Sequence, residues 1–119
     1  MNEALPRKIT ETVDSELPRE TRARDAAELI RRSGAYSSVG IYDVEDDEIV
    51  LLARSGVSLR EAAVERRTTT AGVATVVPIL GAESGIVIGM LDVERDGAFA
   101  EADLALLEDC AAALRPLYD

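Results

Sequence analysis

The segment from residue 73 to residue 94 limits the possible folds of this chain more than any other. Two apolar runs, 73–80 and 86–94, flank a short turn between Gly81 and Gly85. Runs of this length that are rich in Val and Ile and separated by a glycine turn predict an antiparallel β-hairpin. Successive residues in both runs are apolar, so each strand presents apolar side chains to both faces of its sheet. We therefore expect both faces to be covered along the hairpin.

A helix is predicted directly after the hairpin, over residues 101–115, with Pro116 ending it. Apolar residues recur at helical spacing on two stripes, one of Leu104, Leu107, Ala111 and Leu114 and one of Leu106, Cys110, Ala113 and Leu117. A sheet covers only one face of such a helix. The second stripe predicts contact with the N-terminal helices, with a partner subunit, or with both.

Two helices are predicted at the N-terminus. Ile9, Val13 and Leu17 recur every four residues, which favours a short amphipathic helix ended by Pro18. A second helix is expected over residues 19–32, where an apolar stripe precedes Ser33 and Gly34. We therefore divide the chain into an N-terminal helical extension, residues 1–18, and a single domain, residues 19–119.

In the middle of the chain, the sequence pattern changes to the period of two that is typical of strands. Residues 36–44 and 48–54 predict two strands joined through the acidic turn 45–47. A short helix over residues 59–67 is predicted in the connection that follows, because Ser58 and Glu61 have the spacing of a capping box. The predicted fold class is α+β.

Composition excludes several functions. The 119 residues carry a net charge of −10, which opposes binding to nucleic acids and to anionic membranes. The chain has no His and one Cys, so the commonest metal ligand and an internal disulfide are both missing. We therefore expect no metal and no cofactor. No apolar stretch approaches the roughly 18 residues of a membrane span, and a cytoplasmic location is the default expectation.

The C-terminal half resembles that of a GAF domain. The resemblance rests on V-V-P-I at residues 76–79, on G-M-L-D-V at 89–93, and on the later Gly97, Phe99 and Asp103. It implies a central antiparallel sheet with the N- and C-terminal helices on one face and a short cover segment on the other. GAF domains are small-molecule sensing and dimerisation modules, and a subset are free methionine-(R)-sulfoxide reductases.

The resemblance to these reductases also implies a ligand site on the last strand. Their ligand-binding carboxylates follow the pattern L-D-I-D, which here reads L-D-V-E and identifies Asp92 and Glu94. These two residues lie two apart, so both side chains leave the same face of the sheet, and Tyr42 on a neighbouring strand is a further candidate. The alternatives are carboxylates that are solvated or that serve a nearby turn or helix terminus, and a tyrosine that packs its ring and keeps its hydroxyl in water. Arg54 and the nearby arginines 60, 66 and 67 could bind an anion in the cover segment, but we interpret them as solvated charges that offset an acidic surface.

The chain departs from the family in four respects, and the first three weaken the catalytic interpretation. The cysteines of the reductases are missing from the middle segment, and Cys110 lies on an apolar helix stripe, which is typical of a small buried hydrophobe. A further acidic residue of the family is replaced within residues 73–75. Only residues 56–72 are available to cover the sheet, so a ligand chamber should be shallow or filled. The family's usual Ser or Thr cap before the closing helix is Ala100.

The sequence therefore predicts a non-catalytic, GAF-like sensory or regulatory module. We expect a homodimer through the terminal helices and, in a reduced pocket, a small ligand bound by Asp92, Glu94 and Tyr42. The alternative is a protein–protein scaffold or adaptor whose pocket is filled by its own side chains. The third hypothesis is a free methionine-(R)-sulfoxide reductase.

Overall fold

The computed structural model describes residues 4–57 and 73–118 of the chain. Their helices are α1 (Ala4–Val13), α2 (Arg19–Ser33), α3 (Glu101–Ala113) and a final 3₁₀ helix (Arg115–Tyr118). Their strands are β1 (Ser38–Glu45), β2 (Glu48–Gly56), β3 (Val73–Leu80) and β4 (Val87–Arg95). The strands form one antiparallel sheet in the order β2-β1-β4-β3, which confirms the predicted α+β class. The predicted helix over residues 59–67 and the cover segment lie outside the described residues.

One face of the sheet holds the apolar core, and we call it the helical face. It is formed by Val39, Ile41, Ala53, Val77, Ile79, Leu91 and Val93, all of which are buried. Helix α2 lies against β1 and β2 with Ala23, Ala26 and Ala27 buried. These small side chains let the helix backbone approach the sheet closely, while Ile30 supplies bulk at the end of the same stripe.

The two apolar stripes of α3 are both used within the chain. The helix contacts β3 on one side and α1 on the other. Cys110 and Leu117, from the second stripe, are buried, as are Leu5, Ile9 and Val13 of α1. The N-terminal helix therefore covers the second stripe. This is one of the two contacts that the sequence predicted for it, the other being a partner subunit. Leu104 stays partly exposed.

Two predicted helix ends are wrong. Helix α1 ends at Val13 rather than at Pro18, and Leu17 is half exposed. The chain turns there because Arg22 of α2 donates hydrogen bonds to the carbonyl oxygens of Val13 and Leu17, at 2.6 and 2.8 Å. Helix α3 ends at Ala113, and the 3₁₀ helix continues through Pro116. No helix within residues 4–57 and 73–118 combines the length and the apolar character that crossing a bilayer requires.

The expectation of cover on both faces of the hairpin is wrong at its turn and along one face of β3, where Val76, Pro78 and Leu80 are exposed. Ile86 and Val87 are both exposed, and β4 begins at Val87 rather than at Ile86. Arg115, just beyond α3, donates a 2.9 Å hydrogen bond to the carbonyl oxygen of Leu80. The helical layer ends near that contact, so the turn beyond it projects past the core. Deeper in the hairpin, Leu91 and Val93 are buried as expected.

Candidate functional site

The sheet register brings the predicted ligand residues to the face opposite the helices, which we call the far face. Residues directly opposite each other on neighbouring strands share a face. Tyr42 pairs with Met90, Gly40 pairs with Asp92, and Ser38 pairs with Glu94. Tyr42, Asp92 and Glu94 therefore point away from the helices, as their spacing predicts. Their binding of a ligand stays a prediction.

Both carboxylates of the far face are buried. Asp92 is 6% exposed and Glu94 is fully buried. The alternative of solvated carboxylates is therefore wrong, because neither group reaches bulk water. Removing a carboxylate from water is unfavourable unless donors or positive charges replace the lost hydration. The far face therefore carries two buried carboxyl groups on one strand.

Among the described residues, Arg54 brings a positive charge to this face. It lies opposite Gly40 on the side away from Asp92, so Arg54, Gly40 and Asp92 form one row across three strands. Its guanidinium donates a 2.7 Å hydrogen bond from Nη1 to Ser38 Oγ and a 2.6 Å bond from Nη2 to the Tyr42 hydroxyl. The interpretation of Arg54 as a solvated charge is wrong, and so is that of a Tyr42 hydroxyl left in water.

Gly40 makes room for the tyrosine. A Cβ atom built at this glycine would lie 3.1 Å from Cε1 of Tyr42, so the ring leans over Gly40 between Arg54 and Asp92. Sequence reasoning identified neither Ser38 nor Gly40 as part of the site. Gly40 could have been identified because it is a glycine inside a predicted strand, and such a glycine often marks the close approach of another group.

The groups of the far face have the chemistry to bind a cation, and the thiol of the chain lies elsewhere. Buried carboxylates can accept hydrogen bonds from an ammonium or another cationic group, and the Tyr42 ring offers an aromatic face beside them. The only thiol, Cys110, is buried among the helices on the other side of the sheet, and burial raises its pKa to about 12. A thiol held neutral in this way is a poor nucleophile. Among the described residues, no group of three or more Cys, Asp or Glu is arranged to hold a metal ion.

The motif residues after β4 anchor the end of this strand. The rings of Phe99 and Tyr36 are stacked with their centroids 6.1 Å apart, and the Arg95 guanidinium lies 5.5 Å from the Phe99 ring. Arg95 also pairs with Asp103 of α3 at 3.2 Å. These contacts fix the backbone immediately after Glu94. The motif thus has a structural role that positions the carboxylates.

The strand that carries Tyr42 is also tied to the C-terminus. The Tyr118 hydroxyl donates a 2.7 Å hydrogen bond to the carbonyl oxygen of Tyr42. Arg19 pairs with Asp43 on the next residue of the strand, and its guanidinium carbon lies 5.2 Å from the Tyr118 ring centroid. A cleft of about 400 Å³ lies beside this cluster. The cluster joins α2, β1 and the 3₁₀ helix, so we interpret it as structural.

Superposition on solved structures supports the fold, whereas comparison of sequences finds no related protein. No protein-family profile matches the chain, and no curated protein matches it in sequence. The GAF domain of a phosphoenolpyruvate-protein phosphotransferase from Acinetobacter superposes with a TM-score of 0.70 at 15% identity, covering 98% of this chain and 93% of that one. The corresponding domain from Coxiella burnetii gives 0.71 at 17% identity, covering 92% and 88%.

A free methionine-R-sulfoxide reductase is similar to the same extent. The enzyme from Neisseria meningitidis, solved in complex with its substrate, superposes with a TM-score of 0.71 at 20% identity, covering 96% of this chain and 86% of that one. Identity at this level carries information about the fold and not about the activity. The element order, the antiparallel sheet and these superpositions agree: the chain has the GAF-domain fold.

Proposed function

We propose that this protein is a non-catalytic sensory or regulatory module that binds a small cationic ligand on the far face of its sheet. The observation that carries the proposal is the burial of two carboxylates, Asp92 and Glu94, on one side of the sheet. Tyr42 lies beside them on the neighbouring strand. Two carboxyl groups on one face of a strand, with an aromatic ring beside them, form a set of acceptors that suits a ligand with N–H donors.

The ligand class follows from the donors and acceptors of the far face. The carboxylates suit an ammonium or amidinium group, and the Tyr42 ring suits an apolar or cationic portion packed against it. Arg54 already donates to Ser38 and Tyr42, so its bonds hold the tyrosine in position. We expect amino acids and small amines to bind, and nucleotides to be rejected by the carboxylates. Methionine sulfoxide belongs in the panel because a protein of the same fold binds it.

A thermal-shift screen of amino acids, amines and nucleotides tests the proposal. A ligand at 100 times its dissociation constant stabilises the folded state by about 2.7 kcal/mol. Asp92→Asn should abolish the shift produced by any active compound. Asp96→Asn is the matched control, because it makes the same chemical change at an exposed position just beyond the strand. An equal loss of binding in both variants contradicts the assignment of the site.

The scaffold hypothesis is the alternative that the same screen separates. A protein whose far face is filled by its own side chains gives no shift with any compound, and Asp92→Asn then changes only the stability of the unliganded protein. The reductase hypothesis has a separate test. Turnover of free methionine sulfoxide with a thioredoxin-type reductant, abolished in Cys110→Ser, would support it, but the burial of Cys110 opposes it.

A homodimer through the terminal helices is part of the proposal. Leu104 on α3 remains 36% exposed, and α1 and α3 lie side by side at the surface. The basic Arg7 and Lys8 of α1 are exposed, as are the acidic Glu101 and Glu108 of α3, so two copies can pair these helices with opposite charges. Light scattering at tens of micromolar should give the dimer mass for the wild type and the monomer mass for Leu104→Glu. Val87→Glu, at similar exposure on β4, is the control.

The location and the excluded partners complete the proposal. We propose that the protein acts in the cytoplasm and binds neither nucleic acid nor membranes, because a net charge of −10 repels both polyanions and anionic lipids. Retention of the protein on DNA-cellulose or on anionic vesicles at physiological salt would contradict this part.

A further inference from the structure

One edge of the sheet has an unusual exposed apolar strip. Strand β2 lies at the edge of the sheet formed by the described residues, and Ile49, Val50 and Leu51 are 58%, 47% and 47% exposed. Natural edge strands are usually protected from pairing by Lys, Pro or inward charges. Within β2, residues 49–51 include no Lys, no Pro and no charged residue, whereas β3 at the other edge contains Pro78. The β2 edge is therefore the less protected of the two.

The two ends of this strip have opposite charges. At one end lies the acidic turn, whose four residues Glu45, Asp46, Asp47 and Glu48 are all exposed. At the other end, Arg31 of α2 donates a 2.7 Å hydrogen bond from Nε to Ser55 Oγ. Arg24 is exposed and lies seven residues earlier, on the same side of the helix, about 10 Å back along β2. The strip is thus acidic, then apolar, then basic.

We propose that β2 pairs antiparallel with β2 of a second copy of this chain, about a two-fold axis at Val50. This register places Val50 opposite Val50 of the second copy and Ile49 opposite Leu51, so the exposed apolar residues cover one another. The acidic turn of each copy then lies beside Arg24 and Arg31 of the other. Because a two-fold axis reverses the direction of the second strip, the acidic end of each copy meets the basic end of the other, and the charge pairing occurs twice.

The pairing is short. The register between β1 and β2 shifts between Ile41 and Tyr42, which leaves Leu52 as an extra residue in β2. A bulge of this kind bends the strand and ends regular pairing. The paired strip therefore covers about five residues on each copy and forms a weak interface, smaller than a standard protein–protein interface. The interface is separate from the helix-mediated dimer of the proposed function.

Oxidative cross-linking of Val50→Cys tests the interface. Directly opposed residues in antiparallel strands have Cα atoms about 4.5–5.5 Å apart, which suits a disulfide. With diamide as the oxidant, we expect Val50→Cys to form the covalent dimer at least about tenfold faster than Val76→Cys, because paired strands hold the thiols at a high effective concentration. Val76 has the same 47% exposure on the opposite edge strand, and the wild type reports the background from the buried Cys110.

Two further variants separate this interface from the others. Asp47→Arg in the Val50→Cys chain should slow cross-linking, because it places positive charge beside Arg24 and Arg31 of the other copy. Leu104→Glu in the same chain should leave the rate unchanged, since it acts only on the helix-mediated dimer. Equal rates for Val50→Cys and Val76→Cys overturn the proposal, as does a rate that falls with Leu104→Glu and not with Asp47→Arg.

Discussion

The start of α3 lacks half of a capping interaction, and restoring it should stabilise the protein. Ala100 occupies the N-cap position with φ −83° and ψ 164°, the extended geometry that capping residues adopt. Asp103 Oδ2 already accepts a 3.0 Å hydrogen bond from the Ala100 N–H. An alanine has no side-chain acceptor, so the reciprocal bond to the Asp103 N–H is missing. Ala100→Ser supplies the oxygen at an exposed position with no change of backbone.

The expected gain is about 1 kcal/mol, within the roughly 0.5–2 kcal/mol measured for such caps. An unfolding entropy of about 2.1 cal/mol/K per residue gives about 0.25 kcal/mol/K for the 119 residues. The melting temperature should therefore rise by about 4 °C. Circular dichroism during heating, together with urea unfolding, measures both quantities.

Two controls decide whether the gain comes from the cap. Ala98→Ser makes the same substitution at an exposed position two residues earlier and should leave the melting temperature unchanged. Asp103→Asn removes the negative charge from the first turn but leaves the Asp103 N–H in place, so Ala100→Ser should still stabilise that variant. An unchanged or lowered melting temperature for Ala100→Ser alone would show that α3 begins at another residue.

Three further predictions concern the core and its edges. Ile9→Ala should lower the free energy of unfolding by about 2–5 kcal/mol, since Ile9 is fully buried between α1 and its neighbours, while the exposed Thr10→Ala should change it little; urea unfolding compares them. Arg19→Lys should lower the free energy of unfolding by about 1–2 kcal/mol, because an ammonium cannot reproduce the two-pronged contact with Asp43 and the site is partly exposed. A loss equal to that of Arg19→Ala would support this reasoning, and full retention of stability would contradict it. Burial raises the pKa of Cys110 from 9.0 to about 12, so the folded protein holds this proton more tightly than the unfolded chain. The free energy of unfolding should therefore fall as the pH rises above 9. Cys110→Ala should make this fall less steep, and an unchanged slope would exclude the thiol as its source.

Local pattern predicted the elements of this fold well where the pattern was periodic. The spacing of Val73 to Leu80 gave the bounds of β3, and the acidic turn after β1 gave the hairpin. The end of α1 could not be predicted, because it depends on Arg22 binding the carbonyl oxygens of Val13 and Leu17 from another helix. A contact between two helices sets the end of α1, and the spacing of apolar residues within one helix does not predict such a contact.

The candidate site was only half predictable for a related reason. The period of two placed Asp92 and Glu94 on one face, and the register adds Tyr42 opposite Met90. The charge of Arg54 suggested a solvated surface, because a single sequence does not show which strand lies beside which. Only the order β2-β1-β4-β3 brings Arg54 into the row of Gly40 and Asp92. The division of the chain at residues 18 and 19 stays a prediction, which a deletion of residues 1–18 would test.

Chemical-shift mapping with an amino acid or amine selected by the screen tests the central claim most directly. The claim is that one face of the sheet holds the core and the other holds the ligand. The backbone amides of residues 38–42 and 92–94 should shift on titration, and those of Leu107 and Cys110 in α3 should not. Shifts confined to the α3 amides, or no shift with any compound of the panel at saturating concentration, would contradict the claim.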